Sequence, residues 1–481
     1  MKWCLLLNSA GYMAEFLGKL SYQIMEQGDE CIILANSKIA IWDKKKYFHN
    51  DVKIFSKPDW CRENYRKDWD RFNSLSWKEF FPTFDRMTRF GFSKFDYDYS
   101  VELVSQLFQF VDFVFKKERP DLVIQEPPAN VFNEIVYHLC KKNGIVYLGL
   151  TSSRFEGRID IYDLRCSCSR YKKDFKKMYD KHVDVSEEDK KFAQNFIASF
   201  INHKQLPSYM KAEGNYFYKI NLMKYYIKRA RYVWKPRFRY LLSRRQWKQF
   251  DYESEAILKS TFYAPYNAVK RKVRIFLLKN IFDSFNSAKD YFLFPLHLQP
   301  EASTSVQATY FCDQLNTIKN IGFSLPFPYK LYVKEHPSAI GTRPKTFYKE
   351  LKKIPNVFLV SPFESVKNLV KKSSGIITLT STIGMEAALF GKPVYVLGDV
   401  FYSYHPLCKR IKNFKELHQV LQNDLINKVK VHNLEDINIW FILSYFRNTI
   451  PGDLISATSE KDTNDYALIY KEIKKYFLEN N

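Results

Sequence analysis

The residues with chemistry to offer gather at three points of this chain, each just past a short apolar run. The first is FPLHLQPEAST, where the chain leaves the strand-like FLFPL and brings His297, Gln299, Glu301 and Ser303 to the strand's end. A carboxylate such as Glu301 suits a nucleophile or base at an anomeric carbon, and it equally suits the cap of a helix beginning at Ser303. The second is KEHP, where Lys334, His336 and Pro337 leave another strand into a turn. A ring nitrogen and an ammonium there face an incoming phosphate, whereas an isolated His-Pro pair is an ordinary loop histidine. The third is TLTSTIGMEAALFGKP, with Thr380, Ser381 and Thr382 between a strand and a helix start. Hydroxyls and unpaired backbone N–H groups make an anion site at such a point, and Glu386 on the same helix is placed to accept from ribose hydroxyls. Ser381 and Thr382 also read as helix caps, a role compatible with binding.

The first third of the chain offers fewer candidates. QEPPAN puts Glu126 at a strand end, a second choice for the catalytic carboxylate. TSSRFEGRID supplies Arg154, Glu156 and Arg158, suited to an acidic sugar or phosphate, with surface ion pairing as the alternative for Arg158. Asp96-Tyr97-Asp98 imitates a metal-binding Asp-x-Asp, but its aromatic, helical flanks are not a strand end, and no metal is expected from it. The eight cysteines show neither zinc spacing nor a disulfide framework, which fits a reducing cytoplasm.

Groups so distant in sequence share a pocket only if strands carry them there. Beyond residue 290 five short apolar strands alternate with four helices, the mark of a parallel sheet covered on both faces, whose ligands bind at the carboxyl ends of its strands. The same grammar opens the chain, in KWCLLL, a helix and CIILA, and returns at 121–150. The expected organisation is a Rossmann-like domain over 1–165 on the acceptor side and a basic, aromatic helical insertion over 166–285. A second Rossmann-like domain over 286–430 carries the nucleotide-sugar site, and helices over 431–481, with Trp440, Phe441, Tyr445 and Phe446, pack back on the first domain.

Lysine and arginine total 75 against 52 acidic residues, a net charge of +23 that attracts phosphate-bearing partners or an anionic membrane surface. The basic stretch YYIKRARYVWKPRFRYLLSRRQWK at 225–248 is broken by Pro236, and aromatic helices between 218 and 275 suit anionic headgroups as well as they suit a plain solvated face. A nucleic-acid-binding protein is the reading from another class; the polar motifs stand apart from the Arg/Lys stretch, so no nucleic acid is expected. The opening residues read as strand, turn and helix instead of a signal peptide, and no run of about 18 apolar residues is present. The expectation is a cytoplasmic protein, peripheral on the inner face of the plasma membrane.

Together FPLHLQPEAST, KEHPSAIGTRPKTFY, NVFLVSP and TSTIGMEAALFGKPVYVLG resemble the capsule polysaccharide biosynthesis family, which includes bacterial Kdo transferases, over roughly 290–405. The resemblance implies a GT-B glycosyltransferase, two Rossmann-like domains facing a cleft. It also implies a CMP-linked ulosonic acid donor used without an essential metal, and a glycan or glycolipid acceptor. By the same resemblance Glu301 is the catalytic carboxylate, His336 contacts donor phosphate and Ser381 supplies a hydroxyl beside it. A UDP-sugar transferase or an epimerase is the alternative within enzymes, since these share the sheet.

Overall fold

The computed structural model of the chain describes residues 1–7, 11–67, 74–89, 96–202, 238–243, 246–278, 280–285, 290–427, 431–459 and 462–479. They form two compact α/β units, the first made of 1–165, 206–264 and 449–481, the second of 166–205 and 265–448.

The first unit is built on a seven-stranded sheet. Strands β1 (Lys2–Leu7), β2 (Glu30–Ala35), β3 (Lys53–Ser56), β4 (Leu122–Gln125) and β5 (Val146–Ser152) run parallel in the order β5-β4-β1-β2-β3. β1 is apolar past Lys2 because both its faces are covered: Cys4 and Leu6 join Phe108, Val111, Ile135 and Leu139 of the helices Tyr97–Glu118 and Val131–Asn143 in one core. Both helices begin on a side-chain cap. Asp96 accepts from the Tyr99 N–H at 2.8 Å and Asn130 from the Asn133 N–H at 3.1 Å, and the second helix stops at Gly144, whose φ of +67° suits glycine. The Asp-x-Asp lookalike is thus a helix start.

At the other sheet edge β6 (Arg158–Tyr162) pairs antiparallel with β5, and Thr449–Pro451 pairs antiparallel with β6. The helix Tyr466–Leu478 follows, with Tyr470 stacked on Trp3 at 5.3 Å between ring centroids. Asp29 lies beneath, accepting from Trp3 Nε1 at 3.0 Å, Tyr470 Oη at 2.7 Å, Lys474 Nζ at 2.9 Å and the N-terminal ammonium at 3.0 Å. Burial pushes its carboxyl up, but Lys474, Tyr470, the N-terminus and Trp3 outweigh burial and hold it well below the usual carboxylate range.

The second unit carries six parallel strands, β7 (Tyr291–Pro295), β8 (Lys330–Lys334), β9 (Val357–Val360), β10 (Gly375–Thr378), β11 (Val394–Val396) and β12 (Cys408–Arg410), ordered β12-β11-β10-β7-β8-β9. β7 therefore lies between β8 and β10, and the order reverses beside it, as in a doubly wound Rossmann-like sheet. Phe292, Phe294, Leu331, Val333, Ile377 and Tyr395 form the core under its helices.

The unit boundaries differ from those expected. Residues 166–285 are not one insertion: 166–205 and 265–285 belong to the second unit and 206–264 to the first. The tail also divides. The helix Leu434–Phe446 stays in the second unit, because its apolar surface is covered by the helices Ser169–Asp180 and Glu187–Ile201; Tyr445 meets Tyr171 at 5.0 Å, Phe446 meets Phe192 at 4.5 Å, and Trp440 Nε1 donates to the Val183 carbonyl at 3.0 Å. Only from Thr449 does the chain return to the first sheet. The basic stretch 225–237 lies outside the described residues.

Candidate active site at the carboxyl end of the second sheet

The three motifs of the second half meet at the ends of β7, β8 and β10, and His297 joins them. Its ring Nε2 accepts the Thr380 backbone N–H at 3.1 Å, so in the neutral ring the proton sits on Nδ1. Its own backbone N–H donates to Gln314 Oε1 at 2.8 Å. Gln314 Nε2 donates back to the His297 carbonyl and to Gln299 Oε1, both at 3.1 Å. Burial, then the nearby His336 and Arg343, lower the His297 imidazole to about 3, so the ring is neutral at physiological pH and holds the β10 turn as an acceptor.

Ser303 ties the first motif to the third: its carbonyl accepts from Thr380 Oγ1 at 2.8 Å. Gly398 permits the approach of β11 here, for a Cβ on it would stand 2.4 Å from Thr380 Cγ2 and 2.8 Å from the Leu379 carbonyl. Ser381 caps the helix Thr382–Leu389, with Oγ accepting the Ile383 N–H at 3.3 Å, while its own N–H donates to Thr378 Oγ1 at 3.0 Å. Gly384 leaves room for Tyr402, whose hydroxyl donates to the Ser381 carbonyl. The cap and its strand are thereby fixed, and the start of the helix opens at the rim.

Glu301 begins the short helix Ala302–Ser305 through its backbone, whose carbonyl accepts the Thr304 N–H at 3.0 Å and the Ser305 N–H at 2.9 Å. Its side chain does not cap that helix; Oε2 accepts from Ser303 Oγ at 3.3 Å, and the carboxylate is half-buried.

The second motif is organised by a residue the sequence reading passed over. Glu335 is 1% exposed and binds Arg343 Nη1 at 2.8 and 3.0 Å and the Tyr348 hydroxyl, and Arg343 Nη2 also donates to the His297 carbonyl. Arg343 thus connects the β8 turn to the β7 turn. His336 Nδ1 accepts the Ser338 N–H at 3.1 Å, leaving Nε2 as the protonated donor of the neutral ring, and Pro337 opens the short turn of helix behind it. Burial lowers the His336 imidazole, with Glu335 opposing and Lys334 and Arg343 adding to the fall. Lys334 departs from expectation. It is 3% exposed with Nζ donating to the Pro362 carbonyl at 2.7 Å, and burial brings it down to about 8. Its ammonium anchors the β9 end instead of facing a phosphate.

Glu386 is 4% exposed within its helix, and burial pushes its carboxyl up to about 8. At neutral pH it is mostly a protonated acid, able to donate as well as accept.

Four candidates belong to the first unit. Glu126 stands at the end of β4, next to β1 where that sheet's order reverses, and the Tyr12 hydroxyl donates to its carboxylate. Burial raises the Glu126 carboxyl against the opposing Tyr12 bond and Arg86 charge. Arg158 takes a structural place, though not in an ion pair with Thr449: Nε donates to Thr449 Oγ1 at 2.9 Å and Nη2 to the Thr449 carbonyl, so its guanidinium ties β6 to the edge strand Thr449–Pro451. Arg154 is half-buried and Glu156 exposed in the turn before β6. Among the described residues no three His, Cys, Asp or Glu side chains come together to hold a metal ion, and no helix is long and apolar enough to cross a membrane.

Among solved structures the chain is similar to the beta Kdo 2,4 transferase of Thermosulfurimonas dismutans KpsC, at 12% identity over 74% of this chain and 88% of that one, TM-score 0.38. It is similar also to the beta Kdo 2,7 transferase of the same KpsC, at 14% identity over 76% and 89%, TM-score 0.32. A third is UDP-GlcNAc 2-epimerase from Methanocaldococcus jannaschii, at 13% identity over 92% and 100%, TM-score 0.25. No curated protein sequence matches it. The family model described as capsule polysaccharide biosynthesis protein matches residues 239–423. That stretch holds His297, Glu301, His336, Arg343, Ser381 and Glu386, and it reaches back into the basic helical region in which no motif was read. Over 239–423, then, this chain is similar to the capsule polysaccharide biosynthesis family, and the rim formed by the β7, β8 and β10 turns lies inside that match.

Proposed function

We propose that the chain is a glycosyltransferase that moves Kdo or a related ulosonic acid from a CMP donor onto a capsule or other surface polysaccharide, or onto its lipid-linked precursor. The observation that carries the reading is the hydrogen-bonded meeting of the β7, β8 and β10 turns through His297, Arg343 and Thr380. Such a rim gathers donors around one point at the strand ends. His336 Nε2–H and the Thr382 N–H that opens the helix take the donor phosphate, with the hydroxyls of Ser381 and Thr382 beside them and Thr380 holding the turn through its bonds to His297 and Ser303. Glu386, neutral when buried, binds the ribose hydroxyls.

In the transfer the bond from the anomeric carbon to the phosphate oxygen breaks and CMP leaves with the electron pair. Glu301, or Glu126 in its place, either takes the acceptor hydroxyl's proton as that oxygen bonds to the anomeric carbon, or bonds to that carbon first and is displaced from it by the acceptor oxygen. Arg154 and Glu156 contribute to holding the acceptor. The donor needs no protein-bound metal, since the phosphate contacts carry the leaving charge, and the basic surface keeps the enzyme at the inner face of the plasma membrane.

The test is donor turnover: wild type releases CMP from CMP-Kdo in the presence of a Kdo-terminated acceptor, and Glu301→Gln loses about 100-fold or more in kcat while its melting temperature holds. Near-normal turnover by that variant removes Glu301 from the chemistry, and turnover of UDP-sugars alone overturns the CMP assignment in favour of the UDP-dependent transferase or epimerase.

A further inference from the structure

The helix Tyr252–Leu277 enters the second unit at residue 265, and from there it has two unlike faces. The inner face holds the loop that follows His336. Arg271 Nε donates to the Ile340 carbonyl at 2.8 Å and its Nη2 to the Ser338 carbonyl at 3.0 Å, and Arg274 donates to the Thr342 carbonyl. Gly341, at φ +76°, lets the helix press in; a Cβ there would stand 2.7 Å from the Arg271 carbonyl oxygen.

The outer face is apolar and open to solvent: Val269 is 63% exposed, Val273 56% and Leu277 47%. At about 100° per residue these three fall within a quarter turn, and Lys270 and Lys272 fall on its two borders. From Ala256 to Phe282 the sequence has no acidic residue and six cations, Lys259, Lys270, Arg271, Lys272, Arg274 and Lys279. A narrow apolar stripe edged by lysines, on the part of the helix where every charge is positive, is the pattern of a helix lying in the plane of an anionic bilayer surface.

We infer that the outer face of residues 265–277 docks on anionic lipid, with Val269, Val273 and Leu277 in the acyl boundary and Lys270 and Lys272 among the headgroups. The inference rests on the membrane setting proposed above and names the surface responsible for it. Because the inner face grips residues 338–342, docking holds the His336 loop close to the bilayer plane.

Cosedimentation of the full chain with vesicles of phosphatidylethanolamine and phosphatidylglycerol, and with phosphatidylcholine vesicles, tests it. Wild type pellets with the first and not the second. Val269→Asp combined with Val273→Asp weakens pelleting by about tenfold or more, since each change takes a buried apolar group from the acyl boundary. Lys270→Glu with Lys272→Glu weakens it too, in a salt-dependent manner. Both double variants keep the wild-type melting temperature, the altered positions being solvent-facing. Wild-type pelleting by the Val269→Asp/Val273→Asp protein overturns the inference, as does equal affinity for phosphatidylcholine. A wild-type dimer that this variant converts to monomer overturns it as well, assigning the stripe to a second copy. CMP turnover in solution is read separately, so loss of the docking assignment leaves the transferase reading to stand or fall on its own assay.

Discussion

The carboxyl ends of the two sheets differ in what their polar side chains bind. In the second unit they bind across turns: His297 reaches Thr380, Arg343 reaches both Glu335 and His297, and Ser303 accepts from Thr380. In the first unit Arg158 bonds along the sheet edge to Thr449, and Glu126 pairs with Tyr12 at the switch point. The lesson is one of strand order. β7 has a chemistry-bearing strand on either side, so three motifs become one rim, whereas β5 is followed by antiparallel β6, which takes Arg158 of the basic segment into a strand paired with Thr449–Pro451 at the sheet edge.

The sharpest break between the two regions comes from their arginines. Arg343→Ala leaves the Glu335 carboxylate buried without its countercharge, a loss of about 3–5 kcal/mol. Arg158→Ala removes hydrogen bonds at a half-buried edge and costs about 1 kcal/mol. Urea unfolding of the two variants checks the contrast; equal losses would show that the β7–β8 connection is no stronger than the sheet edge.

A smaller effect separates the units by pH. Glu386 has its carboxyl raised from 4.5 to about 8, so its contribution to stability is full below about pH 4.5 and is lost as pH rises through 8. Asp29 is depressed, so its contribution is present above its unfolded value near pH 4 and is lost as pH falls below it. Thermal melts should therefore find Glu386→Gln gaining on wild type toward alkaline pH, and Asp29→Asn losing less than wild type on acidification. A reversed sign in either series would contradict the assignment.

These differences also explain what the sequence disclosed. The five strands from Tyr291 to Val396 were legible because strands buried on both faces are unbroken apolar runs with turn residues at their ends. Glu301, His336 and Ser381 were found as the polar residues immediately after such runs. β6, Thr449–Pro451 and β12 were missed: each is three to five residues long, and their partners across the sheet are distant in sequence or unlike them in pattern. His297 was noticed but not its function, because the bond that defines it comes from an N–H 83 residues away. Glu335 and Arg343 had a faint signal, an acid directly before His-Pro with an arginine eight positions on. Lys334 read as a phosphate ligand since nothing local reveals that its ammonium turns to the Pro362 carbonyl.

The central claim is that the second sheet's rim binds the nucleotide of the donor, and calorimetric titration of CMP into wild type, His336→Ala and Arg158→Ala proteins tests it most directly. Saturable binding that falls about tenfold or more in His336→Ala, and is unchanged in Arg158→Ala, is the predicted result. CMP binding of equal strength in wild type and His336→Ala would contradict it.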